Sequence, residues 1–290
     1  MEISQLAMFK VVAEQGSIIR ASEILHCVPS NVTNRIKLLE GELGVSLFLR
    51  TGRGLVISPA GRLFLGYAQK ILSLCEESKR AIDPASGPSG ILKIGAIESA
   101  ATGRLPKVLS QYHQAYPAVK LEFITGVWSA LLNDVVSHRL EGAIIAVYPE
   151  HPDIQCSEIY KEELVLIAPQ ALGTIRRAQD LGNAEIFMWP EGCPYRASLE
   201  SWLGRHGVTR TLTSIASYGT IMGCVSSGAG VSLVPKGMFE QFKGGGPVAG
   251  YVFDDLLPIP NYFISNRHVG LHRAKEKFLD LLKEEFKEVC

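Results

Sequence analysis

Val32, Ile36, Leu39 and Leu43 recur at spacings of four, three and four, so they share one face of a helix that starts at Pro29. Pro29 suits the first helical position, where a missing N–H costs nothing. The opposite face carries Asn31, Asn34, Arg35 and Lys37. Upstream, Leu6, Phe9, Val12 and Ala13 form a first amphipathic stretch, Gly16 ends it, and Ser17 can N-cap a short second helix over residues 18–25. A tight turn at 26–29 separates that helix from the third. Residues 45–50 and 54–58 are two β-like runs around a tip at 51–54. The pattern predicts a helix-turn-helix followed by a wing.

Further along, Ser58 and Pro59 form an N-cap and N1 pair that opens a long helix, assigned to residues 59–86. Phe64, Tyr67, Ile71, Leu74, Ser78 and Ala81 step along it by three and four, a short coiled-coil seam that reads as a dimer helix. A core helix of a single domain would show the same steps. Residues 83–90 read DPASGPSG, a Pro/Gly/Ser-rich joint, with the hinge assigned to 87–90.

Beyond the hinge, strand-like runs at 91–98, 120–126 and 142–148 alternate with helices at 104–116 and 128–139. A second set follows: strands at 163–169, 185–189, 212–216 and 230–235 with helices at 195–206 and 218–227, then a strand at 262–266 and a helix at 274–288. Alternation of this kind predicts parallel sheets in two α/β lobes.

Chemistry sharpens the first unit. Asn and Arg make bidentate contacts to base edges, and Lys suits phosphate. Residues 1–58 nevertheless hold six Lys or Arg against five Glu, so a single copy would bind a polyanion weakly. A small helical domain with incidental surface charge would give the same periodicity. Over all 290 residues, Lys+Arg and Asp+Glu balance at 29 each. No secretory signal or membrane-length apolar run is visible, and the six cysteines show no CxxC pair and no zinc spacing. The expectation is a cytoplasmic protein off the membrane, with no metal or cofactor.

The residues also carry a resemblance. The runs L-x-x-F-x-x-V-A-E-x-G-S (Leu6 to Ser17), A-S-x-x-L (Ala21 to Leu25), V-T-x-x-I-x-x-L-E-x-E-L-G-V-x-L-F-x-R (Val32 to Arg50) and L-x-x-S-P-A-G (Leu55 to Gly61) resemble the LysR-type transcriptional regulators, and the layout of the remaining chain does too. The departures are Pro29, Ser30 and Asn31 where many members carry Gln, then Ser or Pro, then Ala; Thr33 for the usual Ser; and Asn34 for a frequent Arg.

The resemblance implies a winged helix-turn-helix (mainly α) over 1–58, a long linker helix that pairs antiparallel across a homodimer, and an α/β effector-binding domain of two Rossmann-like lobes, like the periplasmic binding proteins. Lobe I would comprise 91–161 and 267–290 and lobe II 162–266, with crossings near 160–163 and 261–267. It further implies double-stranded operator DNA as partner, a homotetramer built from dimers, and contact with RNA polymerase if the protein activates. Ser30, Asn31, Thr33, Asn34 and Arg35 would read bases or fix phosphates, with Lys37 beside them and Arg50 and Arg53 holding the wing.

A ligand in such a fold lies at the carboxyl ends of strands, near helix N-termini. The resemblance places hydroxyls at Ser99, Thr102, Ser129 and Ser217 around an effector; each singly reads more readily as a helix N-cap, and it is their joint placement at strand ends that points to a site. Glu98 is the informative neighbour. With Trp128, Tyr148, Tyr195 and Tyr218 it would suit a cation, by charge and by aromatic faces. An amine such as a polyamine is the expected effector, and the 28–36 and 193–196 runs further resemble a LysR-type regulator of putrescine use. Glu98 could instead pair with Arg104 or Arg196 and only tie the lobes. A redox regulator using Cys193 or Cys224 is the alternative, though nothing nearby in sequence lowers a thiol pKa. The seven histidines accompany no HExxH, GxSxG or P-loop, so no enzyme is expected.

Overall fold

The computed structural model describes residues 1–51, 54–82, 87–242, 244, 246–269 and 272–287. The chain divides into two compact units, Met1–Gly87 and the bulk of the chain from Pro88 onward.

In the first unit, α1 (Ile3–Gln15), α2 (Ile18–Ile24) and α3 (Pro29–Leu43) precede the hairpin β1 (Phe48–Thr51) and β2 (Gly54–Ile57), and α4 (Pro59–Ile82) closes it. Gly16 (φ 61°) and Gly44 (φ 70°) end α1 and α3 in the left-handed conformation that glycine adopts without a Cβ penalty. Ser17 caps α2 by accepting from the Arg20 N–H at 3.4 Å. Leu6, Phe9, Val12, Val32, Leu39 and Leu47 are fully buried, each worth roughly 1.5–3 kcal/mol. Phe9 centres this core, its ring 5.4 Å from Phe48 and 5.3 Å from Phe64. Glu40 accepts from the backbone N–H groups of Leu47 (2.7 Å) and Phe48 (3.2 Å), which ties α3 to the wing.

The linker helix is split in duty. Ala68 is buried, and Phe64, Leu65, Ile71 and Leu72 pack against the first unit's core, while Leu63, Tyr67 and Leu74 stay exposed. Two of the six expected seam residues, Phe64 and Ile71, therefore serve their own domain. The compact unit accordingly runs through the helix to Gly87.

The second unit contains β3 (Gly90–Ala96), α5 (Glu98–Gly103), α6 (Leu105–Ala115), β4 (Val119–Thr125), α7 (Trp128–Val136), β5 (Gly142–Ile145), β6 (Ile154–Glu162), β7 (Leu164–Pro169), β8 (Glu185–Met188), α8 (Pro194–Arg205), β9 (Thr213–Ser214), α9 (Tyr218–Ser226), β10 (Gly230–Pro235), α10 (Lys236–Phe242), β11 (Val248–Tyr251), β12 (Ile259–Asn266) and α11 (Arg273–Glu285). Lobe I is a sheet of order β4-β3-β5-β12-β6, and lobe II one of order β11-β7-β10-β8-β9.

Three differences from the sequence expectation have physical causes. Both sheets are mixed: β12 runs antiparallel to β5 and β6, and β7 antiparallel to β10 and β11, because the chain crosses between lobes and re-enters from the other end. The strand β6 was not expected. It is an edge strand rich in polar residues, and a bulge opposite Asn261/Tyr262 breaks its alternation, so Ile159 and Tyr160 are buried side by side. Finally, β12 pairs along its whole length with β6, from Ile259↔Glu162 to Asn266↔Ile154. The return to lobe I is therefore complete by Ile259, earlier than the expected 261–267. The first crossing, at Glu163 between β6 and β7, falls at the end of the expected 160–163. β11, α10 and the short α5 were also unforeseen, and β9 is only two residues long.

Candidate functional site

On α3 the apolar stripe Val32, Ile36 and Leu39 turns inward, and Ser30, Asn31, Asn34 and Lys37 are exposed together on the other side. Their side chains are free for a duplex. Thr33 and Arg35 are half-buried and engaged. Thr33 Oγ1 donates to the Pro29 carbonyl at 2.9 Å, and Arg35 forms an ion pair with Glu2 and donates to Ser4 Oγ at 3.3 Å. The hydrogen bond from Ser4, then Arg35, holds the Glu2 carboxyl below the usual carboxylate range. Arg35 thus begins as a tie to α1 and would reach DNA only by exchanging that partner. Arg50 lies in β1 opposite Leu55, but its side chain, like all of Arg53, lies outside the described residues.

In the second unit, the strand ends meet at a cleft of about 310 Å³ between the lobes. Of the residues expected there, Glu98, Ser99, Trp128, Ser129, Tyr195 and Tyr218 line it. Three do not. Ser217 is spent as the N-cap of α9, accepting from the Thr220 N–H at 3.3 Å. Tyr148 is exposed and stacks edge-on against Tyr262 at 5.6 Å, and Thr102 lies a turn further along α5 than the lining residues. The structure adds Trp189, Glu191 and Cys193. Trp189 and Glu191 follow directly on β8, so the strand-end rule that found Trp128 would have found them too.

The lobes touch across this cleft through polar contacts. Trp128 Nε1 donates to the Gly192 carbonyl at 3.0 Å, Ser99 Oγ to Tyr195 Oη at 3.4 Å, and the Tyr218 backbone N–H to Glu98 Oε1 at 3.4 Å. Tyr195 donates onward to Asn261 Oδ1 at 3.4 Å, and burial raises the pKa of its phenol. Trp189 packs on Tyr218 at 5.3 Å.

The charge balance of the cleft is one-sided. Two carboxylates, Glu98 and Glu191, line it, and among the described residues no Lys, Arg or His does. The two arginines that could have neutralised Glu98 are occupied elsewhere. Arg104 is bonded to Glu162 at 2.7 and 2.8 Å, and Arg196 to Glu200 at 2.8 Å and Ser214 at 2.9 Å.

At Cys193 the redox alternative finds no support in the local setting. Burial pushes the Cys193 thiol up, against the weaker pull of the Arg196 and Tyr195 N–H groups, so it lacks the thiolate character of a reactive cysteine. All five described cysteines are free thiols. Among the described residues no helix is long and apolar enough to cross a membrane, and no cluster of His, Cys, Asp or Glu could hold a metal ion.

Comparison with known proteins places both units. Residues 3–62 match the family model described as "Bacterial regulatory helix-turn-helix protein, lysR family", and residues 85–287 match "LysR substrate binding domain". The chain is 35% identical over 285 residues to the HTH-type transcriptional regulator SoxR of Arthrobacter sp. (strain TE1826), covering 98% of this chain and 97% of that one. It is 33% identical over 288 residues to the HTH-type transcriptional regulator GltR of Bacillus subtilis (strain 168), covering 99% and 97%. Among solved structures, full-length CbnR in complex with its target DNA aligns with TM-score 0.71 at 21% identity over 100% of both chains. A full-length OxyR variant from Pseudomonas aeruginosa aligns with TM-score 0.75 at 20% identity over 99% and 95%. With a recognition helix, a wing and a two-lobed ligand cleft matched along nearly its whole length, this chain belongs to the LysR family of bacterial DNA-binding transcriptional regulators, which are transcription factors and not enzymes.

Proposed function

We propose that the protein controls transcription in response to an amine, a polyamine such as putrescine being the type case, bound between its two lobes. The observation that carries this reading is the cleft itself: two carboxylates, aromatic walls from Trp128, Trp189, Tyr195 and Tyr218, and no described basic residue in the lining. An anionic effector would meet uncompensated like charge there, whereas an ammonium gains both a charge-assisted hydrogen bond and an aromatic face. Glu98 is the primary anchor and Glu191 a second.

On the DNA side, Ser30, Asn31, Asn34 and Lys37 of each α3 contact the major groove, Thr33 and Arg35 support them, and Arg50 and Arg53 of the wing take the backbone. The exposed row Leu63, Tyr67 and Leu74 on α4 supports a homodimer through the linker helix. Two dimers form the operator-bound tetramer, and an activating form would contact RNA polymerase. A two-fold dimer requires paired half-sites about one helical turn, or a multiple, apart. The effector acts by its differential affinity for two lobe arrangements.

Isothermal titration calorimetry with putrescine and cadaverine tests the amine. Wild type should bind, and Glu98→Gln should weaken binding at least tenfold, as expected for a lost hydrogen bond to a charged group, about 1.5–3 kcal/mol. Equal binding by wild type and variant removes Glu98 from the site; no binding by wild type removes the amine.

A further inference from the structure

Glu162 is a buried carboxylate that neither the DNA surface nor the cleft uses; its side chain is 3% exposed. It ends β6, where the chain leaves lobe I for lobe II. Both of its oxygens are engaged, and by both lobes. Arg104 of lobe I donates through Nε to Oε2 at 2.8 Å and through Nη2 to Oε1 at 2.7 Å. The backbone N–H of Gly237, in the first turn of α10 in lobe II, donates to Oε1 at 3.0 Å. The guanidinium also sits over the Tyr160 ring at 5.7 Å.

The two backbones meet at this point. A Cβ on Gly103 would lie 2.8 Å from the Gly237 carbonyl carbon, and a Cβ on Gly237 would lie 2.8 Å from Arg104 Nε. Only glycine at both positions allows α5 and α10 to approach so closely.

The lip of the cleft at Trp128 is fastened differently. There, among the described residues, the lobes are joined by the neutral bond from Trp128 Nε1 to the Gly192 carbonyl, in an exposed setting. Three long contacts also join the lobes: Ser99–Tyr195, Tyr195–Asn261 and Glu98–Tyr218, each 3.4 Å. A bidentate, charge-assisted, buried clasp outlasts one exposed neutral bond. The six-residue α5 joins the two regions, with Glu98 and Ser99 at its cleft end and Gly103 and Arg104 at its clasp end.

We propose that Glu162 is a positioning residue for the effector response: its clasp on Arg104 and Gly237 fixes the axis about which the lobes turn, so that the cleft opens at the Trp128–Gly192 lip. This role rests on the cleft as effector site, but it can be measured with no effector present. Failure of the clasp and failure of the amine are therefore seen in different experiments.

The test is hydrogen–deuterium exchange of the full chain without ligand, comparing wild type, Glu162→Gln and Trp128→Phe. Glu162→Gln should speed exchange about tenfold at the clasp (98–104 and 236–242) and also at the distant lips (126–130 and 189–195), because loss of the axis frees the whole cleft. Trp128→Phe should speed exchange at the lips alone. Wild-type rates at the lips of Glu162→Gln make the ion pair merely structural and overturn the proposal, as does faster clasp exchange in Trp128→Phe. If Glu162→Gln does not fold, Arg104→Lys, which keeps the charge and loses the fork, should show the same two-region pattern at smaller amplitude. Wild-type lip rates in that variant overturn the proposal equally.

Discussion

The recognition face of α3 and the wall of the cleft are both polar surfaces built beside an apolar core, but they hold their polar groups in opposite ways. On α3, Ser30, Asn31, Asn34 and Lys37 stand exposed with their hydrogen-bonding capacity open to a partner. In the cleft, Ser99, Tyr195 and Trp128 are already bonded across the lobes, and Glu98 accepts a backbone N–H. A DNA reader keeps its donors and acceptors uncommitted because the duplex supplies the partners. The cleft commits them to contacts between lobes, so that on the proposed reading a ligand would exchange with those contacts and shift the lobes as it binds.

The largest effect that could break this contrast lies on the helix. Asn31→Ala and Asn34→Ala should each cost about 1–3 kcal/mol in operator affinity if each makes a base contact, and should relax base preference at one position of each half-site. Electrophoretic mobility shifts against a set of single-base operator variants read both quantities. Loss of affinity without loss of preference would demote the two amides to phosphate contacts. Next in size is a packing test of the platform beneath that helix. A Cβ at Gly61 would lie 2.2 Å from the Leu47 carbonyl oxygen. Gly61→Ala should therefore destabilise the first unit by roughly 1–3 kcal/mol, visible in thermal melts.

The α3 surface was legible in the sequence because one continuous stretch with a 3.6-residue period carries both its faces. The cleft was half legible. Trp128 and Tyr195 sit where strand ends turn into helices, but nothing local separates Ser129, which lines the cleft, from Ser217, which caps its own helix. That distinction depends on how α9 is oriented, a tertiary matter. The tie of Arg35 was hidden for a similar reason: its partner Glu2 is 33 residues away, and the packing of α1 on α3 brings them together. Likewise β6 escaped because its bulge hides the alternation that marks a strand.

Two smaller effects sharpen the contrast. Trp128→Phe keeps the aromatic wall but removes one bond between lobes, a loss of about 1 kcal/mol to the closed arrangement. In titrations with diamine it should leave the enthalpic contribution of Glu98 intact while changing affinity by less than about tenfold. Smallest is a pH effect at Cys193. Burial raises this thiol above its ordinary value, so its thiolate is scarcer than that of free cysteine at any pH below the raised pKa. Alkylation by iodoacetamide at pH 7.5 should be slower at Cys193 than for free cysteine, and should gain only when the pH passes above the ordinary thiol range. Peptide mass mapping of a Cys-by-Cys time course reads this. Faster alkylation at Cys193 would return the redox reading to consideration.

The shared duty of α4 bears on how such proteins can be recombined. Because Ala68 is buried and Phe64, Leu65, Ile71 and Leu72 complete the wall around Phe9, a fragment cut at residue 58 would leave the three-helix platform with its apolar side open to water. A hybrid regulator that borrows this DNA reader for a foreign sensor should therefore be spliced no earlier than the turn after Leu72. The graft would then carry the donor's exposed Leu63 and Tyr67 with it, and, if the proposed linker dimer forms, part of the donor's choice of partner. On the proposed dimer, the reading head could not be transplanted without some of its pairing rules.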